Sequence, residues 1–170
     1  MLSSYLIAEA YARVRSIVHV VLVDADEELL TFRPDPEANS IAWLIWHLTR
    51  VQDDHLAELM NEDQLWDSAG WADRFAFPFA RAATGYGQTA EEVGQVRAGA
   101  SVLAGYLDAV HARTIAWLPT LTTADFSRVV DTRWTPPVTL AVRLVSVLSD
   151  DLQHAGQAAC VHGLAERAGR

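Results

Sequence analysis

An aspartate and a histidine four residues apart, Asp150 and His154, lie in a segment flanked by apolar sequence. On an α-helix, residues at this spacing share a face, so the two side chains can converge on one point. Val147 and Val161 fall on the same face, so the polar pair interrupts an apolar stripe. A buried carboxylate or imidazole without a partner is costly, which leaves three explanations: a salt-bridge network, a proton-transfer pair or a metal site.

A second histidine, His47, lies three residues after Leu44 and four before Val51, on the apolar face of another predicted helix. Two histidines and an aspartate from facing helices would leave a fourth position open, as in catalytic sites for Zn²⁺ and related divalent metals. A water in that position has a lowered pKa, and a thiol binds there as thiolate, so either becomes a nucleophile near neutral pH. From spacing alone, a structural alternative stays open: Asp150 orients His154, and His47 bonds a backbone group or an aromatic hydroxyl.

Other polar residues are candidates for the surroundings of this site. Arg143 lies on roughly the same face as Asp150 and can hold a carboxylate of a cofactor or substrate, or pair with a loop acid. Asp54 can orient a metal ligand or a metal-bound water, or lie on a solvated helix face. We expect Asp53 to be solvated and His55 to lie at the rim of the site or on the surface.

Aromatic residues flank His47 or fall in the connections between helices, where they can form an apolar wall for a substrate. They can equally belong to the core, close the ends of the bundle or make a dimer contact. The candidates for substrate binding are Trp43, Trp46, Trp71, Phe77 and Trp134.

The composition favours a globular protein with small-molecule or protein partners. The 170 residues, 51% of them hydrophobic, predict one domain over residues 1–170. A formal charge of −9 without a basic run argues against a nucleic-acid or anionic-membrane surface. The single cysteine, Cys160, is expected in the core and permits no intrachain disulfide, so the expected compartment is the cytoplasm.

Four stretches repeat apolar residues at helical spacing, and none alternates at period two for long enough to predict a strand. The predicted helices run from about Ser4 to Leu30, from Ile41 to Leu59, from Thr89 towards Pro119 and from Pro137 to about Glu166. Long connections over 66–88 and 122–136 separate the last three helices. We therefore predict an all-α four-helix bundle, a fold that places sites between facing helices.

Two segments resemble the DinB/YfiT-like superfamily: NSIAWLIWHLTRVQDDH and RWTPPVTLAVRLVSVLSDDLQHAGQAACVHG. With GWADRFAFPF and TGYGQTAEEV, the chain resembles more narrowly the group of mycothiol-dependent maleylpyruvate isomerase and related thiol S-transferases. The resemblance implies a four-helix bundle that binds a divalent metal through positions matching His47, Asp150 and His154. Many relatives have histidine or glutamate at the position of Asp150, whose shorter reach affects coordination.

The resemblance implies an enzyme that activates a low-molecular-weight thiol, such as mycothiol, for transfer to a small electrophile or for its isomerisation. Zn²⁺ is the expected metal, with Ni, Mn or Fe as alternatives. The isomerase has an additional C-terminal domain, so maleylpyruvate isomerisation itself is not expected. Two other functions stay open: a metal-dependent hydrolase, and a non-catalytic metal-binding or ligand-binding stress-response protein. The aromatic surplus makes a homodimer a reasonable expectation.

Overall fold

Four long helices make up most of residues 2–169, which are the residues described by the computed structural model. In chain order the helices are α1 (Leu2–Leu22), α2 (Glu27–Thr31), α3 (Ile41–Met60), α4 (Leu65–Ser68), α5 (Trp71–Phe75), α6 (Ala90–Gly94), α7 (Ala100–Trp117) and α8 (Leu140–Arg167). Short 3₁₀ turns lie at Leu118–Thr120 and Asp125–Ser127, and two strands, β1 (Val129–Asp131) and β2 (Val138–Thr139), precede α8. The helices α1 and α3 each pack against both α7 and α8. The predicted all-α four-helix bundle is confirmed.

The first predicted helix is in fact two helices. α1 ends at Leu22, and the chain turns through Asp24, whose φ is 53°, before α2 begins. The side chain of Asp26 accepts a hydrogen bond from the amide of Leu29 and so caps α2. The prediction of one helix to Leu30 is wrong because the apolar spacing continues across the turn.

The third predicted helix is also interrupted. Thr89 caps α6 as predicted, and its capping box with Glu92 satisfies backbone amides at the helix start. However, α6 ends at Gly94, and α7 begins only after Gly99. Glycine has a low helix propensity, which is consistent with a break between these two positions.

The fourth predicted helix begins later than expected, at Leu140 instead of Pro137. Thr139 caps it by accepting a hydrogen bond from the amide of Val142. The preceding residues form an antiparallel strand pair in which Val129 faces Thr139. These strands were not predicted, because two or three residues are too few for a period-two alternation to show.

Asp53 anchors the start of the connection between α3 and α7. It is fully buried, and its prediction as a solvated residue is wrong. Its carboxylate accepts hydrogen bonds from the backbone amides of Leu65 and Trp66, at 3.0 and 2.8 Å. It also accepts from the Tyr106 hydroxyl at 2.7 Å and from the Arg113 guanidinium at 2.5 Å. A charge with this many donors is well compensated, and it ties the connection to both helices.

Further hydrogen bonds hold the later part of this connection. The Arg50 guanidinium donates to the carbonyl of Ala83 at 3.2 Å and to the amide oxygen of Gln64 at 2.8 Å. The indole of Trp66 donates to the carbonyl of Arg81 at 2.7 Å. These bonds fix the path of the chain as it returns across α3.

Cys160 lies on the outer face of α8. Cys160 is exposed, so its prediction as a core residue is wrong. The buried positions nearest to it, Ala158 and Val161, face the bundle, and Cys160 is rotated away from both. Within residues 2–169, no helix combines the length and the apolar character needed to cross a membrane.

Candidate metal centre

The three predicted ligands meet where α3 packs against α8. His47 projects from α3, and Asp150 and His154 project from adjacent turns of α8. One potential ligand atom from each residue lies within 4.8 Å of the other two. The Nε2 of His47 is 3.9 Å from Oδ2 of Asp150, and the Nε2 of His154 is 3.6 Å from Oδ1. The fold therefore brings two imidazoles and one carboxylate to a single point.

Both histidines use their Nδ1 atom as a hydrogen-bond donor away from this point. His47 Nδ1 donates to the carbonyl of Thr84 at 2.5 Å, and His154 Nδ1 donates to Oε1 of Gln157 at 2.7 Å. In a neutral imidazole, a proton on Nδ1 leaves Nε2 with a free lone pair. Metal-binding histidines are typically fixed in this way by an acceptor on the other ring nitrogen.

The ring of His47 is held by Trp43 and by the loop at Gly85. Trp43 stacks on it with ring centroids 4.5 Å apart and planes 14° from parallel. Gly85 approaches the Nδ1 edge of the ring so closely that a Cβ there would lie 2.4 Å from His47 Nδ1 and 3.0 Å from the Trp43 ring. The φ of Gly85 is 106°, which strongly favours glycine. The indole of Trp43 also donates a hydrogen bond to Gln88 at 2.7 Å, which fixes the indole. Trp43, which was predicted to bind substrate, therefore helps to position His47.

The electrostatic surroundings keep His47 neutral. Its side chain is nearly fully buried, and this burial lowers its pKa below the usual value. The hydrogen bond to Thr84 and the charge of Asp150 oppose the shift, whereas His154 adds to it. A neutral imidazole is the form that binds a metal, so the site holds His47 in the required state.

The carboxylate of Asp150 lacks the donors that a buried charge normally needs. Its Oδ2 atom is buried and has no hydrogen-bond partner. Among residues 2–169, no arginine pairs with it, and both histidine nitrogens lie beyond hydrogen-bond distance. Two imidazole lone pairs and an unsatisfied carboxylate form a donor set that fits a divalent cation such as Zn²⁺, Ni²⁺, Mn²⁺ or Fe²⁺.

A cleft of about 460 Å³ opens beside Asp150. Val51, Val147 and Tyr86 are among its lining residues. The ring of Tyr86 packs edge-on against His47 with centroids 5.1 Å apart, and burial and nearby carboxylates raise the pKa of its hydroxyl. No role was predicted for Tyr86, although the glycines on either side of it, both with positive φ, are a signal of a constrained loop.

A second cleft, of about 590 Å³, contains two of the predicted substrate-binding residues, Arg143 and Trp134. Arg143 donates to Asp131 at 2.8 Å and to His55 Nδ1 at 2.8 Å. Arg133 and then Arg143 hold the pKa of Asp131 well below its usual range. The two clefts share His55, Val142 and Ser146 as lining residues, so they meet at these three residues. Ligand binding by Arg143 and Trp134 stays a prediction.

Three predicted aromatic residues lie away from the cluster. Trp46 is fully buried, and the shift of one residue along α3 turns its side chain by about 100° from that of His47. It packs against Phe77 with ring centroids 5.3 Å apart. Trp71 is buried against Tyr106. These residues support the core and the connection, and the structure does not bring them to the metal cluster.

Two acids that are sequence neighbours of other candidates also have distinct surroundings. Asp54 accepts a hydrogen bond from Gln64 at 2.7 Å and does not join the cluster. Asp151, for which the sequence predicted no role, is fully buried, and neither of its carboxylate oxygens has a hydrogen-bond partner. Burial and the charge of Asp150 raise the pKa of Asp151 well above its usual value. It therefore favours the neutral form, which reduces the cost of burying it.

Comparison with known proteins agrees with this architecture. Residues 10–158 match the DinB superfamily. The crystal structure of the conserved protein of locus from Enterococcus faecalis is similar, with a TM-score of 0.88, 32% identity and coverage of 94% of each chain. Among curated proteins, none matches the sequence significantly. The family match spans most of the chain, and the chain belongs to the DinB superfamily.

Proposed function

We propose that this protein is a divalent-metal-dependent enzyme of the thiol S-transferase type. His47, Asp150 and His154 would hold the metal, and a low-molecular-weight thiol, mycothiol or a similar compound, would be transferred to a small electrophile or used to isomerise it. The observation that carries the proposal is the convergence of two free imidazole lone pairs and an unsatisfied carboxylate beside an open cleft.

The donor set favours this function over a purely structural histidine–aspartate pair. In such a pair, Asp150 would accept a hydrogen bond from one of the imidazoles. Instead, His154 donates to Gln157 and His47 donates to Thr84, so neither ring directs its proton at the carboxylate. A divalent cation would supply the positive charge that stabilises a thiolate at neutral pH.

The surrounding residues have separate tasks in this proposal. Trp43 and the loop at Gly85 hold the ring of His47 in place. Tyr86 and the valines of the 460 Å³ cleft provide an apolar wall for the electrophile. The formal charge of −9 fits small-molecule partners better than nucleic acid or an anionic membrane. The likeness of the sequence to thiol S-transferases supports the choice of a thiol.

The first test is elemental analysis of protein purified without a histidine tag. We expect about one divalent metal ion per chain in the wild type and none in His154→Ala, with unchanged helical circular dichroism. His162→Ala is the matched control, because His162 also lies on α8 but interacts with Glu166 outside the cluster. Equal metal content in all three proteins would exclude this site.

The second test separates the possible functions. Thiol transfer is expected only when both metal and mycothiol are present, and metal-free protein should be inactive. Hydrolysis without added thiol would identify a metal-dependent hydrolase instead. Bound metal without any turnover would favour a binding protein. Absence of metal after reconstitution would leave Asp150 and His154 as a structural pair.

A further inference from the structure

His55 lies where the two clefts meet. It is eight residues after His47 on α3, which rotates it by about 80° from that residue. Its side chain is 25% exposed and lines both the 460 Å³ cleft, which contains Asp150, and the 590 Å³ cleft, which contains Arg143. A ligand that extends from the metal cluster into the second cleft would therefore pass His55.

The contact with Arg143 fixes the tautomer of His55. The Arg143 guanidinium lies 2.8 Å from His55 Nδ1. A guanidinium can only donate, so Nδ1 must accept and the proton of the neutral ring is on Nε2. Asp54 is 3.9 Å from the same Nδ1 atom, too far for a hydrogen bond that would reverse this assignment.

Arg143 holds His55 at Nδ1, and the other ring nitrogen of His55, Nε2, is left available. Asp131 accepts from Arg143 at 2.8 Å, and Arg133 also pairs with Asp131, so the guanidinium that faces His55 is fixed. Among residues 2–169, no protein group accepts a hydrogen bond from His55 Nε2. The ring therefore presents an unused donor to the clefts.

The charges around His55 favour its neutral form. Burial and the Arg143 charge lower its pKa, and the carboxylates of Asp54, Glu58 and Asp150 only partly oppose this. Protonation of Nδ1 would also break the contact with Arg143. His55 is consequently suited to donate a hydrogen bond from Nε2 and is poorly suited to accept a proton as a base.

We propose that His55 donates its Nε2 hydrogen to a carbonyl or carboxylate oxygen of the electrophilic substrate. The inference rests on the proposed thiol-transferase function and specifies the substrate as one with an acceptor oxygen beside the reacting carbon. The second cleft supports this, because its lining includes Arg133 and Arg143, and a guanidinium can attract an oxygen that carries negative charge. The valines of the first cleft suit the apolar part of such a molecule.

Addition of a thiol to a conjugated enone illustrates the expected chemistry. Sulfur bonds to the β-carbon, the π pair of the carbon–carbon double bond shifts, and negative charge develops on the carbonyl oxygen. The proton lost by the thiol is then returned to the α-carbon. A donor at that oxygen stabilises the developing charge, whereas displacement of a halide places the charge on the leaving group, where this donor has no role.

Nitrogen-15 NMR of the imidazole rings tests the inference without relying on turnover. In the metal-loaded protein at neutral pH, we expect His55 to carry its proton on Nε2. Its signal should shift saturably with one of two unreactive probes, and cyclopentanone and butyrate distinguish a ketone site from a carboxylate site. A proton on Nδ1, a doubly protonated ring, or no response to either probe would overturn the proposal.

Kinetics with mycothiol separates a role in binding the oxygen from a structural role. His55→Phe should lower kcat/KM for methyl vinyl ketone by about a hundredfold and for benzyl chloride by less than about threefold. His55→Gln, which retains a donor, should restore part of the loss. His111→Phe is the control, since His111 interacts with Arg15 and Asp108 instead of the clefts. Equal losses of kcat/KM with both electrophiles would overturn the proposal for His55. A wild-type protein without metal or turnover would instead refute the proposed function. In that case the NMR result alone would decide whether His55 donates a hydrogen bond.

Discussion

Asp53 and Asp150 are two inward-facing acids of the same bundle with opposite surroundings. Asp53 receives four hydrogen bonds, two of them from backbone amides and one from a guanidinium. Asp150 has a buried oxygen without any donor and faces two histidine nitrogens that carry lone pairs. The protein itself supplies the donors and the positive charge that Asp53 needs, whereas residues 2–169 supply no positive charge to Asp150.

The difference shows that burial alone does not identify a functional acid. Asp53 is the more deeply buried of the two, yet its bonds account for it fully as an anchor of the connection after α3. Asp150 is less buried but has no protein partner that compensates its charge. A deficit of donors is therefore a better guide to the metal centre than accessibility.

The largest expected effect tests whether the hydrogen bonds and ion pair of Asp53 stabilise the fold. Asp53→Asn should lower the free energy of unfolding by about 3–5 kcal/mol, because it removes the nearer of the two carboxylates that pair with Arg113 and weakens four hydrogen bonds. Denaturant unfolding of the metal-free protein measures it. Asp54→Asn is the control and should cost less than about 0.5 kcal/mol. A loss below about 1 kcal/mol for Asp53→Asn would remove the contrast between the two acids.

The same substitution at Asp150 should act differently. Asp150→Asn removes an uncompensated charge, so the metal-free protein should be as stable as the wild type or slightly more stable. The stabilisation by Zn²⁺, about 3–4 kcal/mol at metal concentrations 100 to 1,000 times Kd, should be lost. Thermal unfolding with and without metal measures both quantities. A destabilised metal-free variant would mean that the carboxylate already has a partner within the protein.

The loop that holds His47 provides an intermediate effect. Gly87→Ala should cost about 1–2 kcal/mol, since this glycine has positive φ and a methyl group there meets no other atom. Gly85→Ala should cost more, since its φ is also positive and its methyl group would lie 2.4 Å from His47 Nδ1. Only the first places a methyl group against His47, so only Gly85→Ala should also weaken metal binding, by about 10- to 100-fold. Calorimetric titration with Zn²⁺ measures the affinity. Equal affinities in the two variants would show that the contact with His47 does not matter for the site.

The smallest effect concerns Asp131, a third acid, which resembles Asp53 in being saturated by its partners. Arg133 and Arg143 lower the pKa of Asp131 in the folded protein. The ionised carboxylate therefore stabilises the fold at pH values above its pKa in the unfolded chain, about 3.9, and this stabilisation is lost as the pH falls below that pKa. Asp131→Asn should therefore be less stable than the wild type at pH 7, and the difference should shrink as pH is lowered below about 5. Thermal unfolding at several pH values measures this, and a constant difference would argue against a charge effect.

Much of the fold and the central cluster could be predicted, because both depend on regular helices. The i, i+4 spacing of Asp150 and His154 and the apolar face around His47 indicated that the three residues could meet, and the resemblance to the DinB/YfiT-like superfamily favoured a metal over a structural pair. The break after Leu22 could not be predicted, because the apolar residues keep their helical spacing across it. The strand pair before α8 could not be predicted either, because its two strands are too short to show an alternating pattern.

The surroundings of the cluster depend on tertiary contacts that spacing does not encode. Asp53 and Asp54 are adjacent and chemically equal, but only Asp53 faces the amides of Leu65 and Trp66. Trp43 and Trp46 both flank His47 closely in sequence, yet helical rotation places only Trp43 on the imidazole. The positions of loop residues relative to a helix could be known only from the folded chain.

The contact between His47 and the loop also constrains how relatives of this protein can vary. Thr84 serves through its backbone carbonyl, so many side chains can replace it during evolution without changing the bond to His47. Gly85 serves through the absence of a side chain, and almost no substitution is compatible with its position. Sequence drift should therefore be broad at residue 84 and nearly absent at residue 85, and a homologue that has lost this glycine is expected to have lost the histidine ligand as well.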